Sequence, residues 1–142
     1  MKFEFSAGGV VVKKDAETHT MSVLLAQHAG HHGWIFPKGH IGDHHEKETK
    51  EEAALREVLE ETGITGEIRK PLAPVTYWFV KDQEKIKKTV YYFLMQYVSG
   101  DTTIRDHEME NVEWVPMNEV AERLTYESDK QVWEEAKKLI EK

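Results

Sequence analysis

Arg56-Glu57-Val58-Leu59-Glu60-Glu61-Thr62-Gly63-Ile64, read together with Gly42 and Glu48 upstream, is the stretch that decides the fold. Thr49 stands where a helix N-cap belongs, and Glu52 three residues on completes a capping box. Ala53, Ala54, Leu55, Val58 and Leu59 follow at helical spacing, and Gly63 is placed for a left-handed C-terminal cap. At about 100° per residue, Glu57, Glu60 and Glu61 share one arc of this helix. Leu55, Val58 and Leu59 centre on nearly the opposite side, so they are expected to face the core. The acids occupy the last turns, where the helix dipole is negative and like charges three and four apart repel. An ordinary acidic helix face is solvated surface. These acids are concentrated on one arc and oppose the dipole, and a local rule broken without local gain marks function. Clustered carboxylate oxygens are what a hard cation such as Mg²⁺ takes as ligands. With positions left for water and phosphate oxygens, such a site suits metal-assisted attack on a phosphate.

The surrounding composition limits the alternatives. The chain has 142 residues, with 26 acids against 19 Lys and Arg, 39% hydrophobic residues and no Cys. One domain spanning 1–142 is expected from that length. Disulfide frameworks and thiol nucleophiles are excluded, and so are collagen-like and disordered classes. No apolar run approaches the ~20 residues of a membrane span, and Met1-Lys2-Phe3-Glu4-Phe5 is not a signal peptide, so cytoplasm is the default expectation. The net charge of −7 argues against a stable nucleic-acid partner. Residues 46–61 hold seven acids against Lys47, Lys50 and Arg56, a net of −4, so a good part of that acidity belongs to the helix itself. A bound cation there would reverse the local sign and admit a small anionic substrate. Monomer and homodimer both remain open. Strands are expected at 3–12, 21–27, 67–80, 86–98 and 112–115, and further helices at 117–124 and 129–141. Mixed strands with interspersed helices give an α/β layered domain.

Gly42, Glu48 and the 56–64 run match G-x5-E-x7-R-E-U-x-E-E-x-G-U, with U aliphatic, at every fixed position. Chance agreement at seven fixed residues is on the order of once in 10⁷ chains of this length. The chain therefore resembles the Nudix hydrolase family. Phe5-Ser6-Ala7-Gly8-Gly9-Val10-Val11 looks like that family's first strand, and Trp34-Ile35-Phe36-Pro37-Lys38-Gly39-His40-Ile41 like its entry to the catalytic loop. One departure stands out. Gly39 lies nine residues before Glu48, where relatives with a Pro-Lys-Gly-His run place that Gly six before, so residues 42–47 read as a loop with about three extra residues.

The resemblance implies an α/β/α sandwich around a mixed sheet. It also implies hydrolysis of a nucleoside diphosphate linked to another moiety, by water attack on phosphorus. It makes Glu57 and Glu61 the principal Mg²⁺ ligands, with Mn²⁺ as a substitute metal. Glu60 is then a ligand or base, and Gly39 or Lys38 adds a carbonyl contact. Glu48 holds Arg56 or acts in the metal's outer shell. Glu108 is a further catalytic candidate, with Glu110 and Glu113 as competing choices.

Within the family, Phe36-Pro37-Lys38-Gly39, Tyr77-Trp78-Phe79 and Lys87-Lys88-Thr89-Val90-Tyr91-Tyr92 resemble diadenosine polyphosphate hydrolases. That likeness assigns Lys88 to phosphate and Tyr77 or Tyr92 to base stacking; Lys38 and His40 are further substrate-binding candidates, His40 because it directly follows Lys38-Gly39. The competing reading puts Trp78, Phe79, Tyr91, Phe93 and Met95 mostly in the core and lets the lysines solubilise a hairpin. Six of the eight His lie between His28 and His45; their spacing fits no zinc pattern, and an exposed loop is the favoured reading. The alternative activities are removal of damaged nucleoside triphosphates, RNA 5′-pyrophosphate hydrolysis and diphosphoinositol phosphate hydrolysis. A non-catalytic nucleotide-binding module should have lost a box Glu, and none is lost here.

Overall fold

A computed structural model describes residues 1–42 and 46–141. Asp43, His44 and His45, in the loop expected to carry the extra residues, lie outside the described residues.

The centre of the molecule is β1 (Lys2–Lys14), which runs parallel to β7 (Glu84–Gly100) and antiparallel to β2 (Met21–His28). Successive side chains on a strand point to opposite faces, and these three strands are apolar on both. Val10, Val12, Val23, Leu25, Tyr92 and Leu94 form one core, and Ala7, Val11, Leu24, Ala26, Phe93 and Met95 form the other. A sheet that is apolar on both faces needs a cover on each. The first core is closed by α3 (Glu127–Ile140) through Val132, Trp133 and Ala136, and the second by α1 (Lys50–Thr62) through Ala53, Ala54 and Val58. The result is the expected α/β/α sandwich around a mixed sheet. Among the described residues that sheet has eight strands. β3 (Trp34–Ile35) and β8 (Met109–Pro116) flank β2; β4 (Lys38–His40) pairs with β1; β5 (Ile64–Pro71) and β6 (Val75–Lys81) both pair with β7.

Helix α1 begins and ends as its sequence predicts. Thr49 accepts from the Glu52 N–H, Glu52 caps the Thr49 N–H in return, and Gly63 closes the helix at φ 80°. Other expectations need correction. The strand expected at 67–80 is two strands, because the chain leaves the ladder after Leu72, whose N–H still reaches the Tyr92 carbonyl at 2.9 Å. Leu72 turns into the core, the Ala73 N–H goes to Glu135 on α3, and Pro74 has no N–H to offer. The turn expected at 81–85 is tighter: Asp82 and Gln83, at φ 51° and 65°, make a two-residue hairpin. The helix expected at 117–124 is a 3-10 turn (Met117–Glu119) followed by the four-residue α2 (Val120–Arg123). Trp78 and Leu59, expected inside, are 48% and 47% exposed.

Candidate active site

The buried side of α1 holds Glu57 and Glu61, at 6% and 4% exposure, alongside Ala53, Ala54 and Val58. The carboxylate arc is therefore not opposite the core face; two of its members lie within it. Glycine makes the room. β4 lies against β1 in the register Ala7↔Gly39 and Gly8↔Lys38, and a Cβ on Gly39 would overlap the Glu57 carboxylate. The Lys38 N–H then reaches Glu61 Oε1 at 3.1 Å.

Arg56 ties this helix to the loop before it. Its Nε and Nη2 donate to the two Glu48 oxygens at 2.6 and 2.9 Å, and Nη2 also donates to the His40 carbonyl at 3.0 Å. Nη1 donates to Glu57 at 2.6 Å and to Glu60 at 3.3 Å. Glu48, itself buried, also accepts the Gly42 N–H at 2.8 Å. The Glu48–Arg56 pair is thus a clamp that holds the β4–α1 loop against the helix. Among the described residues no three carboxylates or imidazoles converge on one point. Glu57 and Glu60 both lean toward Arg56.

The donor set fits a hard divalent cation. Three of the four acids, Glu48, Glu57 and Glu61, are buried, and the Arg56 guanidinium pairs with Glu48 and Glu57. Burial first, and the neighbouring Glu57 second, push the Glu61 carboxyl up to about 9. The Lys38 N–H and ammonium pull the other way but do not offset that burial, so a further cation beside Glu61 would favour its charged form. Gly39 leaves the carboxylates open to a cavity of about 380 Å³. Lys38, His40, Glu60, Lys88 and Glu108 also line it. Burial, and then the Lys38 ammonium, lower the pKa of Lys88. Two ammonium groups thus share the cavity with the carboxylates.

The candidate residues separate clearly. Glu110 pairs with His32 and Glu113 with Arg123, whereas Glu108 lines the carboxylate cavity. The Glu108 carbonyl accepts the Ala29 N–H, and the Asp106 N–H reaches the Glu60 carbonyl, which fixes this loop against both β2 and α1. Tyr77 lines a second cavity, also about 380 Å³, with Val75, Val90, Tyr126 and Asp129. Tyr92 is there too, but as a correction to its expected role as a stacking platform. It is 3% exposed, edge-on to Phe36, with its hydroxyl bonded to Asp129 at 3.3 Å, so it offers no free ring face.

The sequence reading missed several lining residues. His28 and His31 stack at 4.3 Å and line the carboxylate cavity, so part of the His-rich stretch is not mere surface. His31, Ile35 and Lys38 line both cavities, which are neighbours. Asp129 and Tyr126 carry no local sequence signal; only the return of α3 over the sheet brings them here.

A family profile for the NUDIX domain matches residues 3–139. A mutator protein, MutT4, of Mycobacterium tuberculosis is 38% identical over 144 residues, covering 98% of this chain and 56% of that protein. An asymmetrical bis(5′-nucleosyl)-tetraphosphatase of Caenorhabditis elegans is 31% identical over 124 residues, 85% of each chain. The NUDIX domain of Shewanella oneidensis NrtR, crystallised with ADP ribose, superposes with a TM-score of 0.75 at 20% identity. That match covers 99% of this chain and 90% of the other. The chain spans about half the length of several curated relatives it matches. No helix among the described residues is long and apolar enough to cross a membrane. With the profile running almost from end to end and its carboxylate helix set against the glycine-lined strand, this chain belongs to the Nudix family, whose members act on acid anhydrides and generally use a divalent metal.

Proposed function

We propose that the chain is a Mg²⁺-dependent pyrophosphohydrolase that cleaves a phosphoanhydride of a nucleoside polyphosphate by water attack. We propose further that a dinucleoside polyphosphate of the diadenosine tetraphosphate class is its substrate. The observation that carries this reading is the adjacency of the two cavities through Lys38. One is apolar with Tyr77 on its wall, suited to a base; the other is polar and holds both ammonium groups and carboxylates.

Glu57, Glu61 and the Gly39 carbonyl would hold the metal, with Glu60 joining by turning from Arg56. When bound, Mg²⁺ supplies neutralisation of charge developing on phosphate oxygens and acidification of water. Lys38 and Lys88 bind and orient the phosphate chain, and their mutual repulsion in a half-buried cavity is relieved by that anion. Lys38 borders both cavities and Lys88 the carboxylate one, so phosphates running from the base to the reacting phosphorus would pass these ammonium groups. A long polyphosphate fits that order better than a diphosphate. Glu108 and Glu60 are the groups able to take a proton from the attacking water. Glu48 holds Arg56, and through it the loop carrying His40, in place.

The test is a Mg²⁺ panel of diadenosine tetraphosphate, nucleoside triphosphates, ADP-ribose and a diphosphoinositol phosphate, ranked by kcat/KM. The dinucleotide should rank first; a preference for ADP-ribose or the inositol compound overturns the substrate. Glu61→Gln should lower turnover on the order of a hundredfold or more with the fold intact. Unchanged hydrolysis in that variant would sink the metal assignment.

A further inference from the structure

Ser6 is a polar side chain that the fold leaves unserved. It is 0% exposed, and its hydroxyl oxygen is, among the described residues, the one buried side-chain oxygen or nitrogen with no hydrogen-bond partner. A hydroxyl can donate one hydrogen bond and accept two, and burying it with none made costs free energy. Alanine would occupy the same place in β1 without that cost, so packing does not account for the oxygen.

The register of the sheet shows what the hydroxyl has beside it. Ser6 lies opposite His40 on β4 and Val90 on β7. Two residues further along β1, Gly8 is opposite Lys38; two residues back, Glu4 is opposite Lys88. Alternate residues of a strand share a face with their cross-strand partners, so Ser6 stands between the two lysines on one face of the sheet. All three residues line the carboxylate cavity. An ammonium group only donates, so a ligand held between Lys38 and Lys88 has to be an acceptor, and an anion by charge. The hydroxyl between them is then placed to donate to that same ligand.

We propose that the Ser6 hydroxyl is a third donor to the phosphate chain and binds a non-bridging phosphate oxygen between Lys38 and Lys88. This rests on the functional reading above and deepens it by adding a neutral contact to the two charged ones. The O–H bond is short and directional, whereas the ammonium groups act largely as point charges. Ser6 thus exchanges some stability of the free protein for affinity toward the polyphosphate.

The test is equilibrium binding to the full chain in Mg²⁺ of two probes that resist hydrolysis because methylene groups replace their bridging oxygens. One is diadenosine tetraphosphate and the other inorganic triphosphate, which carries no base. Ser6→Ala should bind both at least about tenfold more weakly than wild type, the loss expected for one hydrogen bond to a charged acceptor. Its thermal midpoint without ligand should hold or rise, because an unserved buried hydroxyl has been removed. Ser6→Cys fills the same place with a weak donor and should lose affinity as well. Unchanged affinity in Ser6→Ala overturns the proposal, as does full affinity in Ser6→Cys or a wild type that binds neither probe. Weaker binding with a lowered midpoint overturns it too, because the hydroxyl would then serve the fold. Ser6-dependent binding of inorganic triphosphate by a protein that hydrolyses no dinucleotide would sink the substrate reading alone. Dinucleotide hydrolysis with affinity indifferent to Ser6 would sink this one alone.

Discussion

Glu57, Glu61 and Asp129 are three buried carboxyl groups whose behaviour follows from what lies within a few ångströms of each. Glu57 is seated against a missing Cβ, so Gly39→Ala should displace its carboxylate without disturbing the sheet pairing. Misplacement by about 1 Å at a reacting centre costs on the order of 10²-fold, and kcat should fall by that much while the thermal midpoint hardly moves. A large loss of stability instead would mean that Gly39 serves the fold. Asp129 offers a pH test of burial. Its carboxyl is raised from 3.8 to about 6 by burial, with Lys38 and the Tyr92 hydroxyl pulling the other way. As pH rises through this window, the unfolded chain releases the proton first, so the folded state is progressively disfavoured. The loss begins near pH 4, is complete above about pH 6 and amounts to roughly 3 kcal/mol. Asp129→Asn should remove that component from the stability-versus-pH curve. Parallel curves for wild type and variant would contradict it.

Secondary-structure elements show where local chemistry is sufficient. The Thr49–Glu52 capping box and the left-handed Gly63 delimit α1 by contacts within three or four residues, so the sequence alone predicts both ends. Thr49→Ala should cost about 1 kcal/mol, read as a lower urea midpoint with unchanged slope. The apolar stripe of α3 was equally plain, because Val132 and Ala136 follow helical spacing. The face of α1 was misjudged for a physical reason. Helical periodicity counts Leu59 as core and Glu57 as surface, but what the helix meets is β4, whose Gly39 leaves room for the Glu57 carboxylate and whose Lys38 N–H donates to that of Glu61. The break between β5 and β6 was hidden for a related reason. Leu72 and Ala73 have the apolar character of a strand, and only α3, through Glu135, shows why the chain leaves the ladder there.

At the scale of the whole molecule, the proposed metal ligands come from α1 and β4, elements joined by the loop that Arg56 and Glu48 clamp. A cation bound by both belongs to the folded state and not to the unfolded one. Mg²⁺ at a hundredfold excess over its Kd should add about 2.7 kcal/mol, seen as a rise in Tm. Glu61→Gln should lose most of that rise, and an equal Mg²⁺ shift in both proteins would place the ion elsewhere. The sequence by itself determined the helix, its caps, the carboxylate motif and the layered class, because each depends on neighbours a few residues apart. The tertiary structure alone decided which carboxylates are buried and that Glu108, rather than Glu110 or Glu113, faces the cavity. It also closed Tyr92 off and set Asp129 beside Tyr77. Those outcomes depend on pairings between segments distant in the chain, and no local pattern encodes which side chain will be opposite.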